Sequence, residues 1–145
     1  MTTTFRSATE HDLEWLVDLR AEVLRADLER LGRYDTHRVR QRMRDAYVPT
    51  STRVIVEDST EIGCVTVRVE DDARWLEHFY LVPHAHGRGI GSEVLREILA
   101  EEDPRPFRLN VLQGSPARRL YERHGFTVDS EDDVDVFMTR SDGSR

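Results

Sequence analysis

Cysteine is nearly absent from this chain. Cys64 stands alone among 145 residues, which excludes an internal disulfide and any zinc site built on several cysteines. Its apolar neighbours mark it as a buried structural thiol. Long apolar runs are missing too: none approaches the roughly 20 residues that cross a bilayer, so no membrane segment is expected. The opening MTTTFRSATEHDLEW lacks the positive flank, apolar stretch and small-residue cleavage site of a secretory signal, and a cytoplasmic location is the expectation. Positive charge is in deficit. A formal net charge of −7 argues against nucleic acid as a general partner, because such binding draws on Lys and Arg to neutralise phosphates. The exception is THRVRQRMRDAY, where Arg38, Arg40, Arg42 and Arg44 crowd one segment. With Val39, Met43 and Ala46 at helical spacing, it reads first as an amphipathic helix with an arginine-rich solvated face, and second as an anion-recognising patch.

What is present suits one domain with a real core. The hydrophobic share is 38% and the charged share 34%, with no repeat, low-complexity tract or linker to divide the chain. We expect a single unit over residues 1–140 and a loose tail over 141–145. In the segment from Thr9 to Gly32, Thr9 is a cap with Asp12 three residues on, and Leu13, Leu16, Leu19 or Arg20, and Val23 share one side. This predicts a first helix. The arginine-rich segment predicts a second, closed by Pro49. The period then changes: RVIVE, IGCVTVRVE and RWLEHFYLV are β-rich and separated by the turn-like DST and EDDA, as in a three-stranded meander. A helix over Ser92–Ala100, a strand FRLNVL, a helix PARRLYERH with Ser115 and Pro116 at its start and Gly125 at its end, and closing strands FTVDS and VDVFMT follow. Helices and strands in that order predict a mixed α/β sheet.

Between strand and helix lie Gly87, Gly89 and Gly91. Free N–H groups and the positive end of a helix dipole meet at such a place, and glycines let the main chain close around a phosphate or pyrophosphate. The spacing is not G-x-G-x-x-G, and no Gly-Lys-Ser/Thr follows, which disfavours a nicotinamide enzyme and a P-loop triphosphatase. A glycine-rich turn without a ligand is the other reading of these residues.

The stretch YLVPHAHGRGIGSEVL resembles the acetyl-coenzyme A binding motif of the GCN5-related N-acetyltransferase (GNAT) superfamily, R/Q-x-x-G-x-G/A. Downstream, LNVLQGSPARRLYERHGF resembles that family's second signature, a small polar residue before Ala-x-x-Leu-Tyr with Gly-Phe after it. The resemblance covers nearly the whole chain. It implies a mixed, mostly antiparallel sheet flanked by helices and splayed between its fourth and fifth strands, with acetyl-CoA as acyl donor and no metal. It also implies that amides from Gly87 to Ser92, with Arg88 and Gly89 in mid-turn and Gly91 beyond, hold the pyrophosphate. Phe79 and Leu81 would pair their main chain with the pantetheine arm, and Asn110 and Ser115 stand where the family places polar contacts to it. His86 departs from the pattern, since Arg or Gln usually occupies its position.

Acyl transfer needs an unprotonated amine, an oxyanion donor and an acid for the leaving thiolate. Glu77 is the candidate base, on a regular strand sharing one face with Phe79 and Leu81, although an ion pair with a surface arginine is an equal reading. Phe79 supplies the N–H for the oxyanion. Tyr121, matching the tyrosine of the second signature, supplies the proton. His78 falls on the opposite face from Glu77 unless a bulge intervenes. Cys64 has no motif of a nucleophile, so direct transfer in a ternary complex is expected.

The acceptor is an amine, on a small molecule or a peptide. Glu22, Asp27, Glu29, Tyr34 and Asp35 favour a cationic one, and the arginines favour a carboxylate or phosphate on it. Dimerisation occurs in the family, but no interface is marked in this sequence. A non-catalytic acyl-coenzyme A sensor on the same fold and a phosphate-binding domain for another nucleotide are the rival readings.

Overall fold

The computed structural model describes residues 3–141, so the expected tail lies, apart from Ser141, outside the described residues. The N-terminal cap forms as its spacing requires. Thr9 Oγ1 accepts from the His11 N–H at 3.2 Å and the Asp12 carboxylate accepts from the Thr9 N–H at 2.8 Å, closing a reciprocal box. Helix α1 (Leu13–Arg30) follows and buries Leu16, Val17, Leu19 and Ala21. Helix α2 (Thr36–Ala46) is capped by Asp35, which accepts from the His37 and Arg38 N–H groups, and it buries Val39 and Met43.

Strand β1 (Thr3–Ser7) precedes these helices, an element that no sequence pattern predicts. Its residues, TTFRS, carry a single apolar side chain, Phe5, so no alternation announces it. It is held by antiparallel pairing with β2 (Thr52–Glu57). Strands β2, β3 (Thr60–Val69) and β4 (Arg74–Leu81) form the expected meander. Helix α3 (Ile90–Leu99) starts two residues before Ser92, because Gly89 already occupies the cap position. Strand β5 (Phe107–Leu112), helix α4 (Ala117–Arg123), and strands β6 (Thr127–Glu131) and β7 (Asp135–Arg140) complete the chain.

All seven strands join one sheet in the order β1-β2-β3-β4-β5-β7-β6. Every neighbouring pair is antiparallel except β4 and β5, which run parallel and pair only through Arg74↔Phe107 and Trp75↔Arg108. Beyond that point they part. The closed end of this V is pinned by Arg74, 5% exposed. Its guanidinium donates to the carbonyls of Arg105, Glu101 and Asp103 and lies 3.8 Å over the Phe107 ring, satisfying a charge that burial would otherwise make costly.

Two cores cover the sheet. On one face α3 and α4 pack Ile90, Val94, Leu95, Ile98 and Tyr121 against Val65, Leu76 and Leu109. On the other, α1 and α2 pack Leu16, Val17, Leu19 and Met43 against Cys64 and Tyr80. None of the described helices is long and apolar enough to cross a membrane.

Candidate active site at the opening of the sheet

The site begins with a fault in β4. Cys64 pairs with Tyr80 and Thr66 with Glu77, so one residue of β3 faces two of β4, His78 and Phe79. His78 takes a left-handed backbone, φ 46°. This β-bulge shifts the alternation of side chains by one. Phe79 and Leu81 consequently pack with Leu76 on the α3/α4 side, while Tyr80 packs on the α1/α2 side. The expectation that Glu77 shares a face with Phe79 and Leu81 is therefore corrected. Glu77 lies across from Thr66, on the face where Arg68 reaches it with bonds of 3.2 and 2.9 Å. His78 is not opposed to Glu77: its Nδ1 sits 3.3 Å from the Tyr80 hydroxyl, and both line the cleft with Glu77.

Past the bulge, the Val82 N–H bonds to Ile62 of β3, so by alternation the main chain of Leu81 turns towards the open V. There its carbonyl accepts a hydrogen bond from His86 Nε2 at 2.7 Å. Gly87 and Gly89 carry the chain onward at φ 74° and 81°, where any side chain is strained. A Cβ on either would enter open space with nothing within 4 Å. The N–H groups of Gly87, Gly89, Ile90, Gly91 and Ser92 meet no acceptor among the described residues. Unspent donors, an open approach and the start of α3 are the features of an anion cradle, and the residues fit a coenzyme A pyrophosphate. Arg88 contributes main chain only, since its guanidinium turns to Glu57 at 2.8 Å and stays out of the cleft lining.

Across the V, Ser115 Oγ accepts from the Ala117 N–H at 3.2 Å and starts α4. Asn110 donates to Asp135 at 3.0 Å, and Ser92 Oγ lies 3.1 Å from His124 Nε2. Tyr121 packs edge-on against Phe126, ring centroids 5.7 Å apart, and its hydroxyl has no hydrogen-bond partner among the described residues. Burial pushes its phenol well above the ordinary range, which keeps it a proton donor.

One continuous cleft of about 1560 Å³ joins these parts to the α1/α2 side. That is larger than the ~300–1,000 Å³ of a site for one small ligand, room enough for two. At its α1/α2 end stand Arg20, Arg38 and Arg42 with Glu77 and His78. From spacing alone, either Leu19 or Arg20 fits the α1 stripe. An arginine on an otherwise apolar stripe was the available signal, and its Nε is buried without a partner. Burial, and next the Arg20 charge, push the His78 imidazole down to about 4, so it is neutral near pH 7. Cys64 is buried, donates to the His78 carbonyl at 3.1 Å, and is pushed up to about 12 by burial, unlike the lowered thiols that act as nucleophiles.

Solved structures share this fold. The PaiA N-acetyltransferase of Thermoplasma acidophilum in complex with coenzyme A superimposes with a TM-score of 0.76 at 22% identity, over 97% of this chain and 99% of that one. An N-acetyltransferase of Staphylococcus aureus Mu50 gives 0.71 at 16% identity, over 94% and 98%. The N-acetylglutamate synthase of Neisseria gonorrhoeae, complexed with coenzyme A and N-acetyl-glutamate, gives 0.65 at 14%, over 97% of this chain and 35% of that one. At these identities the likeness establishes the fold. No curated protein sequence matches the chain. The family model described as "Acetyltransferase (GNAT) domain" matches residues 49–128. That span is more than half of the 145 residues, and the chain belongs to the GNAT acetyltransferase family.

Proposed function

We propose that this protein is an acetyl-CoA-dependent N-acetyltransferase that acts on a primary amine by direct transfer in a ternary complex. The observation that carries the reading is one cleft holding a donor-rich glycine cradle at one end and a carboxylate at the other, with the Tyr121 phenol, which has no hydrogen-bond partner among the described residues, in its lining. The donor, when bound, supplies an acetyl thioester. Main-chain N–H groups from Gly87 to Ser92 hold its pyrophosphate, and the open edge of β4 at Phe79 and Leu81 aligns its arm. The Phe79 N–H faces the developing oxyanion. Glu77 accepts the proton of the attacking amine as the C–N bond forms. Tyr121 gives its proton to the sulfur as the C–S bond breaks. The buried Cys64 takes no part.

The ion pair from Arg68 to Glu77 favours a second reading, a domain that binds acyl-coenzyme A without turning it over. Thermal unfolding with acetyl-CoA, coenzyme A and ATP, followed by a thiol-release assay over a panel of amines, separates the two. A ligand at 100 times its Kd adds about 2.7 kcal/mol of stability. Shifts with both coenzyme A species and thiol release with at least one amine support the transferase. Shifts without release for any amine support the binding domain, and comparable shifts with ATP overturn both.

A further inference from the structure

Besides Arg33 on the connection between α1 and α2, the acceptor end of the cleft is lined by the guanidinium groups of Arg20, Arg38 and Arg42. Arg38 and Arg42 are one helical turn apart on α2, on the side that borders the cleft. Their neighbours Arg40 and Arg44 face α1 instead, where they pair with Asp18 at 3.2 Å and Glu14 at 2.8 Å. Arg20 comes from α1. Its Nη1 reaches only the Val39 carbonyl, at 3.5 Å, and its Nε is buried with no partner. Its charge is felt at His78 and Tyr80, which places it beside the bulge.

None of the three has a carboxylate within ion-pair distance among the described residues, although acidic residues outnumber basic ones by 28 to 21 and Arg40 and Arg44 on the same helix are paired; the Arg38 charge is felt only by the cap residue Asp35. Most acids of this region, Asp133 excepted, are engaged by other groups. Asp27 pairs with Arg30 at 2.7 Å, Asp35 caps α2, and Asp132 and Asp135 accept from the Val134 N–H and Asn110. Gathering three cations without ion-pair partners around one cleft, with the Nε of one of them buried, is unfavourable by itself. An anion placed among them reverses the sign of that term, and the guanidinium fork suits carboxylate and phosphate alike.

Resting on the transferase reading above, we propose that the acceptor is a small amine bearing a carboxylate or phosphate, and that Arg20, Arg38 and Arg42 hold this anion while the amine points to Glu77. Such an arrangement matches a zwitterion to a cleft with arginines at one wall and a carboxylate at the other. It disfavours polyamines, whose second cation would meet the arginines.

The test is thiol release from acetyl-CoA with paired acceptors: L-leucine and L-methionine against their α-carboxamides, 2-aminoethyl phosphate against ethanolamine, and spermidine. Turnover of an anionic acceptor at least about tenfold above its neutral partner supports the proposal, and whichever anionic pair responds distinguishes carboxylate from phosphate. In the Arg38→Gln/Arg42→Gln variant, on an exposed helix face, KM for that acceptor should rise at least about tenfold with KM for acetyl-CoA unchanged. Arg20→Gln should act in the same direction. Turnover confined to the carboxamides, ethanolamine or spermidine overturns the proposal. If coenzyme A binds but no amine releases thiol, the transferase reading fails on its own. Calorimetric titration of the anionic amines into the coenzyme A-loaded protein then decides: binding that the double variant abolishes upholds the anion site, and no binding overturns it.

Discussion

His86 Nε2 donates to the carbonyl of Leu81 across 2.7 Å, tying the glycine loop back to the strand edge it has just left. The residue at the position where the family carries Arg or Gln thus acts on the loop itself. Losing one such bond costs about 1 kcal/mol, and the loop that presents the N–H donors loosens accordingly. His86→Ala should weaken coenzyme A binding about fivefold in calorimetry, whereas His86→Gln, whose amide can donate to the same carbonyl, should recover most of it. An alanine variant with native affinity would show that the tether is irrelevant to the cradle.

Tyr121 offers a cleaner separation of packing from chemistry. Its ring packs edge-on with Phe126, a contact that phenylalanine keeps, while its hydroxyl has no described partner to lose. Tyr121→Phe should leave stability within about 1 kcal/mol and lower kcat by about 10² or more if the phenol protonates the thiolate. Unchanged kcat in the variant would remove the acid from the mechanism.

Much of this was readable in the residues, and the limits have physical causes. Gly87, Gly89 and the capping pair Thr9 and Asp12 announce themselves because each meets a local backbone requirement that few residue types can meet. The splay of β4 from β5 followed from family resemblance, not from periodicity. The bulge at His78 was not legible, because two-against-one pairing is a property of β3 and β4 together and no glycine marks the residue that takes φ 46°. That single displacement moved Phe79 and Leu81 to the face opposite Glu77 and brought His78 beside it. Strand β1 was invisible for a related reason: its order comes from pairing with β2, not from a pattern of its own.

The pair of Arg68 and Glu77 makes the base assignment testable from both sides. Glu77→Gln should reduce kcat by about 10²–10⁴ with little change in KM for acetyl-CoA. Arg68→Gln removes the ion-pair partner at 2.9 Å and leaves the carboxylate in the cleft, so it should retain far more activity than Glu77→Gln. Equal losses in the two variants would assign the pair a structural role and pass the base function to another group, His78 being the nearest titratable side chain on that strand.

His78 also leaves a signature in stability. Burial, with the neighbouring Arg20 charge, pushes its imidazole from 6.5 down to about 4 in the folded protein. Between those values the unfolded chain binds a proton that the folded one does not, so stability rises with pH across the window. It is complete above about 6.5 and is lost as the pH falls towards 4. At pH 5 the expected loss relative to pH 7 is about 2 kcal/mol. Asp12, held well below the usual carboxylate range by Arg6, loses its contribution only in more acid solution, where it does not interfere. Urea unfolding of the wild type and of His78→Asn at pH 7 and pH 5 isolates the effect as a difference: the wild type should lose about that amount more than the variant, which keeps the contribution of His124, also lowered by burial. Equal losses in both would mean that some other group drives the acid destabilisation and that the imidazole is as accessible to protons folded as unfolded.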